Sequence, residues 1–135
     1  MTKKRILIVD DEQLLVRTLS SVLSEYGYRI TVAGSAEEAA PRIFGQERFD
    51  LILLDNRLPG ESGIDLMRRI REQAVRSKVI LMTAYGTAEV RRQVERLEVD
   101  HYLTKPFDLG VVVEEVRALI GPGLLVPTES ELNPT

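Results

Sequence analysis

LILLDNRLPG, residues Leu51 to Gly60, decides how the rest of the chain is read. Four apolar residues, Leu51 to Leu54, run without interruption into Asp55, and Pro59-Gly60 then punctuates a loop. A short apolar run bounded by turn residues is the pattern of a strand buried on both faces, as in a parallel sheet. Asp55 therefore stands at the carboxyl end of such a strand. In open α/β sheets, ligands and chemistry collect just beyond that end.

Working outward, Ile6 to Val9 repeats the pattern and stops at Asp10-Asp11-Glu12. From there Leu15, Leu19, Val22, Leu23 and Tyr26 fall on one face of a 3.6-residue period, predicting a helix over about 12–26 that Gly27 stops. Residues 28–33 carry Ile30, Thr31 and Val32 and favour a strand. Ser35 followed by Glu38 is a capping-box signature that opens a helix over roughly 36–46, in which Pro41 removes a backbone hydrogen bond and should kink or loosen the coil.

Beyond the central strand, Ser62 is placed to cap a helix over 63–73 with Leu66, Met67 and Ile70 inward, and residues 78–82 form another apolar run. The segment 88–97 offers only Val90, Val94 and Leu97 as a buried stripe, so it predicts a lightly anchored helix. A brief strand over 101–104 closes at Lys105-Pro106, and Asp108 caps a last helix that ends at Gly121-Pro122. Five strands alternating with five helices give a doubly wound five-stranded parallel sheet of order 2-1-3-4-5, a flavodoxin-like (βα)5 sandwich. The expected domain is 1–121, with 122–135 as a flexible tail or the start of a linker.

The bulk composition fits one such domain: 135 residues, 44% hydrophobic and 29% charged. There is no cysteine, which removes thiolate chemistry, and a net charge of -3 gives no global attraction to nucleic acid or anionic lipid. No stretch approaches the roughly 18 apolar residues of a membrane span, and no signal-peptide core follows MTKKR. The expectation is a cytoplasmic protein.

Four of the five expected strands end in distinctive polar groups: Asp10 and Asp11, Asp55, Thr83, and Lys105. With strands one and three adjacent, three carboxylates share one pocket, where like charges repel unless a cation sits among them. A hard divalent ion suits all-oxygen ligation. Lys105 adds a mobile point charge that can meet a phosphoryl oxygen, and Thr83 offers a hydroxyl to another. The set points to phosphoryl transfer onto an oxygen nucleophile, with Asp55 as the best candidate.

The four pieces ILIVDDE (6–12), LILLDNRLPGESG (51–63), LMTAYG (81–86) and YLTKPF (102–107) give the chain a resemblance, over about residues 4–121, to the receiver domains of bacterial two-component response regulators. The resemblance implies that Asp55 accepts a phosphoryl group from a sensor histidine kinase or a histidine phosphotransfer protein. It implies that Asp11, Asp55 and the backbone carbonyl of Arg57 ligate Mg²⁺ (Mn²⁺ as a substitute), with Asp10 acting through water. Thr83 and Lys105 would contact the phosphoryl oxygens, and Tyr102 would turn inward with Thr83 as the switch. A cis bond at Lys105-Pro106, a homodimer through the helix 4, strand 5 and helix 5 face, and a transcriptional output are further implications. Such a domain assists its own phosphorylation rather than acting as an enzyme.

Two departures from the family pattern stand out at the end of helix four, Glu98 and the Val99-Asp100-His101 run that replaces the commoner small and acidic residues. Glu98 occupies the position where the family commonly ends helix four with glycine, so the favourable left-handed cap is expected to be missing. His101 has no evident acid partner and is expected to be solvated or locally bonded. Arg91 and Arg92 fall on the output face, where they could contact a partner. Simpler readings exist for single residues: Asp10 and Asp11 as turn or capping residues, Thr83 as a cap, Lys105 as a solvated amine, Tyr102 as packing. Rival functions are a phosphorylation-independent interaction module and a small aspartyl phosphatase, for which the connections are too short to supply a cap. No recognition helix or basic stripe follows residue 121, so direct nucleic-acid binding by this segment is not expected.

Overall fold

A computed structural model describes residues 3–84 and 86–123. Its elements alternate as the sequence predicts: β1 (Arg5–Val9), α1 (Gln13–Glu25), β2 (Arg29–Ala33), α2 (Ala36–Ile43), β3 (Leu51–Asp55), α3 (Gly63–Glu72), β4 (Lys78–Thr83), α4 (Ala88–Leu97), β5 (His101–Thr104) and α5 (Leu109–Ile120). The strands form one parallel sheet of order β2-β1-β3-β4-β5.

Side chains alternate across a strand, so each buried strand feeds two cores. Leu7, Val9, Ile52, Leu54 and Leu81 face one side, where α2, α3 and α4 pack through residues such as Ala39, Ile43, Met67, Ile70 and Val94. Ile6, Ile8, Leu51, Leu53 and Ile80 face the other, against Leu19 and Leu23 of α1 and Val112 and Val116 of α5. All five residues of β3 are buried. That strand is the axis of the molecule.

The helix starts carry the caps the sequence offers. Ser35 Oγ accepts from Glu38 N–H at 3.1 Å, while the Glu38 carboxylate reaches back to Gly34 N–H at 3.0 Å, one residue ahead of the cap. Ser62 accepts from Asp65 N–H and Asp108 from Gly110 N–H. α4 has a cap that the sequence reading did not single out, Thr87 Oγ1 accepting from Val90 N–H at 3.2 Å. At the far end, Tyr28 Oη donates to the Gly121 carbonyl at 2.6 Å and ties the end of α5 to the start of β2. The expected tail lies outside the described residues from 124 onward.

Three expectations need correction. α2 runs through Pro41 but stops at Ile43, three residues short of the expected end, with Phe44 N–H closing on the Ala40 carbonyl at 2.9 Å. The left-handed cap of α4 is not missing: Glu98 itself adopts it, at φ 52° and ψ 48°. Arg71 of α3 holds this end, its Nε donating to the Leu97 carbonyl (3.2 Å) and its Nη2 to the Glu98 carbonyl (2.7 Å). A tertiary contact thus stabilises a conformation that a glutamate adopts at some cost. His101 has an acid neighbour after all, Glu115 of α5 at 3.5 Å.

Candidate functional site

Strand register builds the site. Val9 of β1 stands beside Leu54 of β3, Asp55 beside Met82 of β4, and Thr83 beside Thr104 of β5. The next residue along each strand therefore emerges at one rim. Asp10 N–H continues the sheet by donating to the Ala33 carbonyl at 3.1 Å, and Lys105 N–H does so by donating to the Thr83 carbonyl at 2.7 Å. The Lys105-Pro106 peptide bond is cis.

At this rim Asp10, Asp11 and Asp55 each bring a carboxylate oxygen to within 4.8 Å of the others. Asp10 and Asp55 are buried, at 2% and 4% exposure, and Asp11 is exposed. Lys105 Nζ reaches Asp10 Oδ2 at 2.9 Å and Asp55 Oδ1 at 3.5 Å. It also reaches Glu12 Oε1 at 3.4 Å, a contact the sequence reading missed although Glu12 closes the acidic run after β1. Arg57 N–H points back to Asp55 Oδ1 at 3.4 Å. Thr83 is buried at the end of β4. Tyr102 lies farther back, its hydroxyl buried beside Gly86 with no hydrogen-bond partner among the described residues.

The charges are unevenly satisfied. Burial, and then the neighbouring charge of Asp10, push the Asp55 carboxyl up to about 6, although Lys105 and Arg57 N–H pull the other way. For Lys105, burial opposes the charged form, but the hydrogen bond to Asp10 and the charges of Asp10, Asp55 and Glu12 outweigh it and raise its pKa. One amine thus faces several carboxylates and leaves Asp55 undercompensated. A cluster of three carboxylates with this excess of negative charge is able to coordinate a divalent metal, and its all-oxygen donor set suits a hard ion.

Residues 6–117 match the response regulator receiver domain family. The chain belongs to that family. This receiver is 33% identical to sporulation initiation phosphotransferase F of Bacillus subtilis over 87% of its own length and 94% of that protein. It is 38% identical to the phosphate regulon transcriptional regulatory protein PhoB of Pseudomonas aeruginosa, over 91% of its own length and 56% of PhoB. The receiver spans about half the length of the transcriptional regulators it matches. Among solved structures it resembles a CheY-like receiver domain protein from Methanospirillum hungatei (TM-score 0.82, 29% identity, covering 87% of this chain and 93% of that one). It also resembles TrrA of Thermotoga maritima in complex with Mg²⁺ and BeF (TM-score 0.76, 36% identity, covering 86% and 98%). It is a domain of phosphorylation-based signalling, a phosphoacceptor rather than a classical enzyme. No helix among the described residues is long and apolar enough to cross a membrane.

Proposed function

We propose that this receiver captures a phosphoryl group on a carboxylate oxygen of Asp55, donated by the phosphohistidine of a sensor histidine kinase or a histidine phosphotransfer protein. The oxygen of Asp55 bonds to phosphorus as the bond from phosphorus to the donor imidazole breaks, and the electron pair leaves with that imidazole. Asp11, Asp55 and the Arg57 carbonyl would hold Mg²⁺, with Asp10 acting through water. The ion would neutralise charge on the transferring group. Lys105 and Thr83 would meet the phosphoryl oxygens, and Tyr102 would follow Thr83 as the switch. The observation that carries this reading is Lys105 Nζ lying within reach of two buried carboxylates at once, 2.9 Å from Asp10 and 3.5 Å from Asp55. The Mg²⁺ and BeF bound by TrrA support it from outside the chain.

Incubation with acetyl phosphate and Mg²⁺ should add one phosphoryl mass to the protein, and Asp55→Ala should abolish the adduct. No adduct on the parent protein, or an equal adduct on the variant, ends the reading. The output in this proposal is transcriptional and the location cytoplasmic, supported by the likeness to the PhoB and ResD regulators. Homodimerisation would use the face of α4, β5 and α5, where Val111 is 43% exposed. Sedimentation of the phosphorylated form tests it. A phosphorelay intermediate is a second reading, favoured by the match to 94% of the sporulation phosphotransferase. Passage of the phosphoryl group from this chain to a second histidine protein would select it.

A further inference from the structure

The loop between β3 and α3, which carries Arg57, takes its shape from two anchors. At its base, Gly63 N–H donates to the Asn56 carbonyl at 2.9 Å, and a Cβ at Gly63 would fall 2.2 Å from the Asp55 carbonyl oxygen. The Asn56 side chain adds to the closure, its Oδ1 accepting from Ile64 N–H at 3.3 Å. The tip is held from elsewhere. Glu37, in the first turn of α2, accepts from Glu61 N–H at 2.8 Å through Oε1, across 24 positions of sequence.

The same oxygen covers Gly60, where φ is +76° and a Cβ would lie 2.5 Å from it. Glycine takes this left-handed conformation without the steric cost a side chain would add. The Glu61 side chain turns away to Arg69 of α3 at 2.7 Å, and Arg69 in turn lies 5.0 Å over the Phe44 ring. The tip is thereby fixed from α2 through its backbone and from α3 through its side chain. The Glu61 N–H, the largest influence on Glu37, holds that carboxyl below the usual glutamate range even though the side chain is solvated.

We infer that Glu37 is a positioning residue for the phosphoacceptor loop: docked on Glu61 N–H and over Gly60, it fixes the backbone that presents the Arg57 carbonyl. This rests on the reading that Arg57 lends its carbonyl to a divalent cation. A backbone ligand in a loop pinned only at its base must be ordered when the ion binds, and that ordering opposes binding. Pinning the tip beforehand removes much of that cost. Residues that orient a metal ligand directly change affinity by about 10- to 100-fold. Glu37 acts four residues beyond the ligand, at Glu61, so a smaller change is expected.

The test compares Glu37→Ala and Glu37→Gln with the parent chain and with Arg42→Ala, which breaks an α2 ion pair to Glu47 away from the loop. Mg²⁺ affinity is measured by calorimetry, the Glu61 amide by hydrogen exchange in metal-free protein, and stability by thermal unfolding. Glu37→Ala should speed exchange at Glu61 and weaken Mg²⁺ roughly fivefold, below the range for direct ligand partners. Glu37→Gln keeps an oxygen acceptor and should restore both to within about twofold. Arg42→Ala should lower the melting temperature and leave Mg²⁺ affinity alone. Parental Mg²⁺ affinity in Glu37→Ala overturns the inference, as does equal weakening in Arg42→Ala. A flat Mg²⁺ titration of the parent chain is a different result and overturns the proposed function itself, taking the positioning role with it.

Discussion

β3 and the α4–β5 edge are built to opposite standards. Every residue of β3 is buried, it is paired on both sides, and it ends in the acid at the centre of the site. β5 is an edge strand with one buried residue, Leu103, and α4 buries only Val94. Chemistry that depends on fixed distances sits on the part that cannot shift without opening both cores. The part that can shift cheaply lies two strands away, held at its end by the Arg71 bonds and by a left-handed glutamate. Rigidity and responsiveness are thus assigned to different strands of one sheet.

The contrast is broken most directly by truncating each region. Leu53→Ala in β3 should cost about 3 to 4 kcal/mol, whereas Val94→Ala in α4 should cost about 1 to 2 kcal/mol. Urea unfolding checks both, and equal losses would mean that the edge is packed as firmly as the centre. The next largest effect concerns charge. The Asp55 carboxyl titrates near 6 in the fold against an ordinary 3.8, so the native state holds this proton more tightly. Stability linked to Asp55 is therefore greatest at low pH, falls as pH rises from about 4 to about 6, and stays lost above that. Asp55→Asn removes the penalty. In metal-free buffer at pH 7.5 it should stabilise the protein by about 1 to 3 kcal/mol, with the gain shrinking toward pH 4. Mg²⁺ should narrow the difference by neutralising the same carboxylate in the parent chain. The smallest effect is at the edge: Glu98→Gly relieves the left-handed residue and should add about 0.5 to 1 kcal/mol, read as a rise in melting temperature.

The architecture was legible because parallel strands buried on both faces leave uninterrupted apolar runs, as in Ile6–Val9, Leu51–Leu54 and Val79–Met82. The acids and the lysine were legible because a strand end followed by a polar residue fixes position along the sheet, and register then carries Asp10, Asp55, Thr83 and Lys105 to one rim. Contacts set by two elements meeting in space left no local trace. Glu37 is one of two glutamates in the first turn of α2, and nothing in its neighbourhood announces Glu61. The His101–Glu115 pair and the Arg71 hold on α4 are of the same kind. Glu98 misled for a related reason: local preference argued against a conformation that tertiary bonds then enforced.

Lys105 follows the edge strand, yet its amine touches Asp10 at the end of β1, with β3 and β4 lying between those strands. That side chain is a tether strung across the top of the sheet. Within that span the amine also lies 3.5 Å from Asp55 Oδ1. Under the proposed function, a phosphoryl group on Asp55 would compete with Asp10 for this amine, so that one side chain would link the charge at the centre of the sheet to its edge strand.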